Sequence, residues 1–249
     1  MPILFNAQTD IGQKRQTNQD SICTLKEYNF FAVADGMGGH NGGDIASQMS
    51  AKIFPEFFSD NDNFLETEEL LEKSIKYINK AIYDHGQQNE ELKGMGTTIS
   101  AIKFDQEYAN LANVGDSRIY LVHKKKLYQL TRDHSLVQEK LNLGIYDRQG
   151  AKRDPQKNVL IRTVGFEPVV EVDIYKYRTN VEDIFLVCSD GLHGKVADSD
   201  ILKIINTNIP VPSEATQEQV DNAVSQLIYQ ANVNGGQDNI SVIIALIKE

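Results

Sequence analysis

Apolar positions fall into two periods along this chain. Short apolar runs or alternations, bounded by turn residues, recur at about 3–9, 21–25, 30–34, 97–103, 107–114, 117–123, 127–131, 171–177, 183–188 and 240–247. Segments of that length and pattern read as strands. A period near 3.6 appears at Leu70, Leu71, Ile75, Ile78, Ala81 and Ile82, and again at Val220, Ala223, Val224, Leu227, Ile228 and Ala231. Each set forms the single apolar stripe of a helix packed on one side, so the two helices are expected in opposite outer layers. Glu66, Glu68, Glu69 and Glu72 gather at the start of the first, where the helix dipole favours negative charge. Thr216 and Gln219 offer a capping box ahead of the second. Shorter helices are expected at 44–54 and 199–206. Short links such as Lys103–Glu107 and Val114–Ser117 favour antiparallel pairing of the strands they join. The count of elements is compatible with an α+β fold and leaves its topology open.

One stretch breaks the pattern. Residues 136–160 hold Lys140, Arg148, Lys152, Arg153, Asp154, Pro155 and Lys157 with few periodic apolar positions. They read as a basic, exposed insert, either a surface loop or a flap over a site.

Four aspartates sit against the apolar runs. Asp35 follows Phe30–Ala34 and precedes Gly36, Asp116 follows Leu111–Gly115, Asp190 follows Ile184–Ser189, and Asp238 stands with Asn239 just ahead of Ile240–Ile244. Any one of them is ordinary turn chemistry, and Gly115-Asp116-Ser117 alone could be a hairpin turn. Together they are four carboxylates at the ends of buried strands, where a charge is costly without a partner. Only 25 Lys and Arg oppose 35 Asp and Glu, so basic side chains are not the obvious partner. Mg²⁺ and Mn²⁺ favour carboxylate and water oxygens, which points to a metal-dependent enzyme.

Composition narrows the class. A chain of 249 residues with a 41% hydrophobic share suits one large domain, which at that size buries roughly 70–75% of its surface without a disulfide. The net charge of −10 argues against nucleic acid and anionic membranes as partners. No run approaches the ~18 apolar residues of a membrane span, and the first residues lack the basic and apolar regions of a secretory signal. Cys23 and Cys188 lie in strand-like runs and read as buried free thiols of a reducing cytosol. The expected location is therefore cytoplasmic.

A polar loop, Thr9 to Ser21, adds a guanidinium, Arg15, and a fifth carboxylate, Asp20. Arginine's planar fork suits two phosphoryl oxygens at once. With this loop the motifs form a set: Thr9-Asp10, Gly12, Arg15 and Asn18-Gln19-Asp20-Ser21, followed by Ala34-Asp35-Gly36-Met37-Gly38-Gly39-His40. Then come Gly96-Thr97-Thr98, Asn113-Val114-Gly115-Asp116-Ser117-Arg118, Leu130-Thr131-Arg132-Asp133-His134-Ser135, Ser189-Asp190-Gly191-Leu192 and Gly236-Gln237-Asp238-Asn239. In this order, and over nearly the whole chain, they resemble the bacterial branch of the metal-dependent protein Ser/Thr phosphatases, type 2C.

That resemblance implies a four-layer αββα sandwich of two antiparallel sheets flanked by helices, spanning residues 1–249 as one catalytic domain with a flap at about 136–160. It implies two divalent cations, Mn²⁺ or Mg²⁺, and a third, weaker one. Asp35 resembles the carboxylate bridging the two central metals, Gly36 the residue whose carbonyl binds one of them, and Asp190 and Asp238 the remaining ligands. Asp20 resembles the acid that orients metal-bound water, Asp116 a ligand of the third metal, and Arg15 the phosphate-binding arginine. Two positions depart from parts of the family. Met37 stands where some relatives outside the bacterial branch carry a His proposed as general acid, so the proton donor to the leaving group is open. Gly194 stands where some members place a further Asp, which leaves the third metal with fewer protein ligands.

The implied reaction is hydrolysis of phosphoserine or phosphothreonine esters by direct attack of a metal-bridging hydroxide, opposing a bacterial Ser/Thr kinase. The implied partners are phosphorylated proteins, and the expected state is a monomer. Alternatives are a regulatory phosphatase dedicated to one partner, of the anti-sigma-antagonist type, or a catalytically weak phosphoprotein-binding module. Other phosphatase chemistries fit poorly. A cysteine phosphatase needs Arg six residues after its Cys, where this chain has Asn29 and Gly194. Asp60-Asn61-Asp62 and Asp198-Ser199-Asp200 lack the Asp-x-Asp-x-Thr/Val pattern of aspartyl-phosphate enzymes. An EF-hand starting at Asp60 would have Leu65 in place of its Gly and Leu71 in place of its Glu. No P-loop is present.

Overall fold

The last strand, Ile240–Ile247, displays the whole architecture. Its side chains alternate between two cores: Val242, Ile244 and Leu246 pack among helix residues, while Ile243, Ala245 and Ile247 join a cluster supplied by strands of both sheets. A strand buried on both faces must be apolar at every position, which is why this segment reads as an unbroken run. The same parity holds in the strand Phe30–Met37: Phe30, Ala32 and Ala34 face helices, and Phe31 and Val33 face the other sheet.

The computed structural model describes residues 2–37, 42–145, 147, 150, 154–156 and 158–249. Its strands are β1 (Ile3–Asp10), β2 (Asp20–Leu25), β3 (Phe30–Met37), β4 (Gly96–Thr97), β5 (Ile99–Phe104), β6 (Tyr108–Val114), β7 (Arg118–His123), β8 (Lys126–Gln129), β9 (Asp173–Arg178), β10 (Ile184–Cys188) and β11 (Ile240–Ile247). Its helices are α1 (Gly43–Asn61), α2 (Thr67–Gln88), α3 (Leu136–Asn142), α4 (Asp190–His193), α5 (Asp198–Asn208) and α6 (Gln217–Val233). One sheet runs β1-β11-β10-β7-β8 and the other β2-β3-β5-β6-β9, with β4 added beside β3. The pairings are antiparallel. Helices α5 and α6 cover the first sheet and α1 and α2 the second, so the two long amphipathic helices do lie in opposite outer layers. The fold is an α+β sandwich of two antiparallel sheets between helices.

The layer between the sheets is aromatic at its centre. Phe31, Phe104 and Phe185 meet edge to face in a chain with centroids 6.1 and 5.1 Å apart, and Phe5 closes on Phe31 at 4.8 Å. Full burial of each such ring stabilises the fold by about 1.5–3 kcal/mol.

Two elements differ from the sequence expectation. Helix α1 does not stop before Pro55 but runs through it to Asn61. A proline inside a helix costs about 3 kcal/mol. Here Phe54 and Phe58, on either side of it, pack against Phe30 with centroids 4.8 and 4.6 Å away, and that contact holds the final turns. The link Val114–Ser117 is not a hairpin either. It leaves β6 in one sheet and enters β7 in the other. Gly115, at φ +106°, redirects the backbone where a Cβ would lie 2.5 Å from Thr98. Asp116 therefore sits on a bridge between the sheets, not at a hairpin tip.

The insert of residues 136–160 is closed at its base by the Ser135–Leu160 bridge. It opens with α3, capped by Ser135 Oγ accepting from Gln138 N–H at 3.3 Å. Lys140 is ion-paired with Asp154 at 2.8 Å. Arg148, Lys152, Arg153 and Lys157 lie outside the described residues, as do Gly38, Gly39 and His40.

Candidate functional site

Strand parity places the first two acids. Asp35 follows Phe31 and Val33 on the inter-sheet face of β3, and Asp20 precedes Ile22 on the same face of β2. The two are directly opposed in the β2–β3 register. Asp190 and Asp238 come from the other sheet, just past the end of β10 and just before the start of β11, which are neighbours. Asp116 arrives from the bridge between the sheets. The five acids thus meet where the apolar inter-sheet layer gives out.

At that distance each acid acts on the charge of the others. Burial pushes Asp190 up to about 8, with the charges of Asp116, Asp238 and Asp20 adding to it. Burial also pushes Asp20 up to about 6 against hydrogen bonds from Ser241 and Ser189, and Asp116 up to about 6, with Asp133 adding. Asp35 is driven well above the usual carboxylate range by burial and then by Asp20, Asp190, Asp116 and Asp238. Asp35, Asp116 and Asp190 nevertheless keep partial contact with solvent, so the acids line an accessible recess.

The backbone around them is packed at the limit of contact. A Cβ at Gly36 would stand 2.0 Å from the Gly43 carbonyl oxygen and 2.6 Å from that of Gln19. Only glycine lets the end of β3, the start of α1 and the Arg15 loop approach so closely. Asp35 is fixed through its own backbone: its N–H donates to Thr98 Oγ1 at 3.1 Å, and its carbonyl accepts from Thr97 Oγ1 at 2.9 Å and Thr98 N–H at 2.8 Å. Asp116 is held by His193, whose Nε2 donates to its carbonyl at 3.0 Å. Burial keeps His193 well below the usual histidine range, hence neutral.

Arg15 Nη2 donates to Asp238 Oδ2 at 2.8 Å, with both side chains part-exposed at 47% and 34%. The Asp238 hydrogen bond and charge raise the guanidinium's pKa. The loop carrying Arg15 has no helix or strand of its own and is stapled down by Asn239. That amide donates to the carbonyls of Ile11 and Thr17, both at 3.0 Å, and accepts from Gln19 N–H at 2.9 Å. In sequence Asn239 shows only as a turn residue beside Asp238. Ser189 shows in sequence only as the residue ahead of Asp190; in the fold its hydroxyl donates to Asp20 Oδ2 at 2.7 Å and accepts from Ser241 N–H at 2.9 Å.

The donor set is that of a hard cation site. Asp20 Oδ1 is buried with no hydrogen-bond partner, an expensive state for an isolated carboxylate oxygen. The mutually raised acids have Arg15 as a part-exposed counter-charge. Divalent cations would remove both costs. Among the described residues no three Asp, Glu, His or Cys groups close into a ready single-ion cage, and Asp238 is turned toward Arg15. The all-oxygen donor set is the chemistry of hard divalent cations such as Mg²⁺ and Mn²⁺.

Similarity to known proteins settles the lineage. The sequence profile of protein phosphatase 2C matches residues 9–227. The chain belongs to the protein phosphatase 2C family. It is 36% identical over 243 residues to the serine/threonine phosphatase stp of Listeria monocytogenes, spanning 95% of this chain and 93% of that one. Its fold superposes on the crystal structure of the Mycobacterium tuberculosis serine/threonine phosphatase PstP/Ppp with a TM-score of 0.89 at 31% identity, covering 99% of each chain. The catalytic domain of PstP in complex with two manganese ions matches with a TM-score of 0.86 at 30% identity, again covering 99% of each chain. Met37 pairs with Gly96 at the end of β3 and offers no ionisable group there.

Proposed function

We propose that this chain is a metal-dependent protein serine/threonine phosphatase, acting as one catalytic domain with a flap, and using Mn²⁺ or Mg²⁺. The convergence of five acids from both sheets on one recess, with a guanidinium at its rim, carries this reading. Asp35, Asp190, Asp238 and the carbonyl of Gly36 would hold two ions, and Asp116 a third, weaker one. Bound there, the ions supply a water acidified to near-neutral pKa and charge compensation for phosphoryl oxygens. Asp35 and Asp116 are fixed through their backbones, so the chain presents them without rearrangement. Asp20, opposite Asp35 in the β2–β3 register and with a buried oxygen free of hydrogen bonds, would orient metal-bound water from behind the recess. Arg15 would exchange Asp238 for two oxygens of the phosphoester and align it for in-line attack.

The deciding experiment is hydrolysis of p-nitrophenyl phosphate with and without Mn²⁺. Turnover should require the metal, and Asp190→Ala or Asp238→Ala should abolish nearly all of it while circular dichroism stays unchanged. Full activity in either variant would sink the metal assignment.

The natural substrates on this reading are phosphoproteins of a Ser/Thr kinase, met by a cytoplasmic monomer. No helix among the described residues is long and apolar enough to cross a membrane. The basic residues of the flap would favour acidic sequence around the phosphoresidue. Changing Lys152 and Arg153 together to Ala should raise KM for acidic phosphopeptides by about threefold and leave KM for p-nitrophenyl phosphate alone. Equal effects on both would refute that role.

A further inference from the structure

Arg15 rides on a loop, and a loop-borne side chain can preorganise a ligand only if something rigid holds the loop. Asn239 grips the loop near its two ends. Its middle is held from a different place, the last turn of α6. There Asn232 Nδ2 donates to Asp10 Oδ1 at 3.0 Å, and Asn232 Oδ1 accepts from Gln13 Nε2 at 3.2 Å. The same Asp10 Oδ1 accepts from Gly12 N–H at 2.8 Å, and Gln13 N–H donates to the Gly236 carbonyl at 2.7 Å. One amide therefore uses both its donor and its acceptor on residues two and five positions before Arg15. It is also tied to the segment leading to Asp238: Gly235 N–H donates to the Asn232 carbonyl at 3.0 Å, and a Cβ at Gly236 would lie 2.5 Å from Asn232 Oδ1 and 2.6 Å from Gln13 Cγ.

The contact ends a polar seam between β1 and α6. Asn6 donates to Asp221 at 2.8 Å and Gln8 to Ser225 at 3.2 Å, one step and then another along the strand, before Asp10 meets Asn232. The first two rungs join secondary-structure elements to each other. The third rung joins the same two elements, but its helix residue, Asn232, alone among the three also reaches into the Arg15 loop, by accepting from Gln13 Nε2, which separates a positioning role from a merely structural one.

We propose that Asn232 is a positioning residue for phosphate binding, fixing the Arg15 loop against the last turn of α6 and the approach to Asp238. This rests on the reading of Arg15 as the phosphate-binding group. The test measures KM for p-nitrophenyl phosphate and inhibition by inorganic phosphate at saturating Mn²⁺, in Arg15→Ala, Asn232→Ala, the double variant and Ser225→Ala. Arg15→Ala should weaken both. Asn232→Ala should weaken both by about three- to tenfold, the scale of one or two lost hydrogen bonds, and should add almost nothing in the Arg15→Ala background. Ser225→Ala should change neither. An equal effect of Asn232→Ala with and without Arg15, or no effect at all with Arg15 present, overturns the proposal. An Arg15→Ala enzyme with unchanged KM and phosphate inhibition overturns the underlying reading of Arg15 instead.

A second route does not depend on Asn232→Ala folding. Asn232→Asp places a carboxylate against Asp10 and should weaken phosphate binding. Adding Asp10→Asn restores a donor–acceptor pair across the same contact and should recover it. Failure of the pair to recover what Asn232→Asp loses, with the fold intact, also counts against the proposal.

Discussion

Phe31 and Asp35 stand four residues apart on one face of β3, both directed into the gap between the sheets, and they mark its two regions. Around Phe31 the gap is filled by rings and branched aliphatics from both sheets. Around Asp35 it is lined by acids that raise one another's pKa. The scaffold is the same, with the same strands and parity. The difference shows what each region contributes. The apolar region holds the sheets together through surface removed from water. The acidic region gathers carboxylates that burial and one another's charge push up, an arrangement that on the proposed function serves cations and substrate.

The largest effect that could break this contrast is a swap of consequences. Phe185 lies against Phe104 and Tyr177 with centroids 5.1 and 6.0 Å away. Phe185→Ala should cost about 3–5 kcal/mol of stability in urea unfolding, while the molecules still folded keep the wild-type KM. Asp190→Ala should do the reverse. It should abolish turnover, and the metal-free protein should melt no lower than wild type because a repelled carboxylate has gone. If Asp190→Ala destabilises the metal-free protein as Phe185→Ala does, the two regions are not energetically opposed.

A smaller effect is set by pH. Asp190, at about 8, and Asp20 and Asp116, at about 6, all titrate above the ordinary value of 3.8. The folded metal-free chain therefore binds more protons than the unfolded chain through this window. The stability these protons contribute is complete below the unfolded value and is lost as pH rises through the folded values. Thermal melts of metal-free protein should fall by about 5 °C or more between about pH 5 and pH 8. Mn²⁺ should flatten that slope by replacing protons with metal. A metal-free Tm that climbs over this range would contradict the repulsion at the acidic end.

Much of this was legible in the sequence, because burial on both faces forces an unbroken apolar strand and one-sided burial forces a helical stripe. The acids were legible for the same reason: Asp35 and Asp190 close runs that otherwise tolerate no charge. What was not legible depended on contacts distant in sequence. The end of α1 was misplaced because the packing of Phe54 and Phe58 on Phe30 outweighs Pro55. The bridge at Val114–Ser117 looked like a hairpin because turn chemistry does not say which sheet comes next. Asn232 and Asn239 carry the Arg15 loop through bonds spanning more than two hundred residues. Polar residues at a helix end and before a strand give no local sign of such a role.

The smallest test bears on how the acidic end is tuned. Ser189 stands between the two sheets' contributions: its hydroxyl hydrogen donates to Asp20 Oδ2, and its oxygen accepts from Ser241 N–H. A donor to a carboxylate stabilises the charged form and lowers its pKa, so this serine, with Ser241, holds Asp20 down against burial. Ser189→Ala should raise the Asp20 pKa from about 6 by about one unit, read by carboxyl-carbon NMR titration of the metal-free protein. The variant also strands the Ser241 N–H, at a cost of about 1–3 kcal/mol. Stability alone therefore does not discriminate, and the titration does. An Asp20 pKa that stays put would mean that burial, the Ser241 hydroxyl and the neighbouring acids set its charge, and that the Ser189 hydroxyl does not tune it.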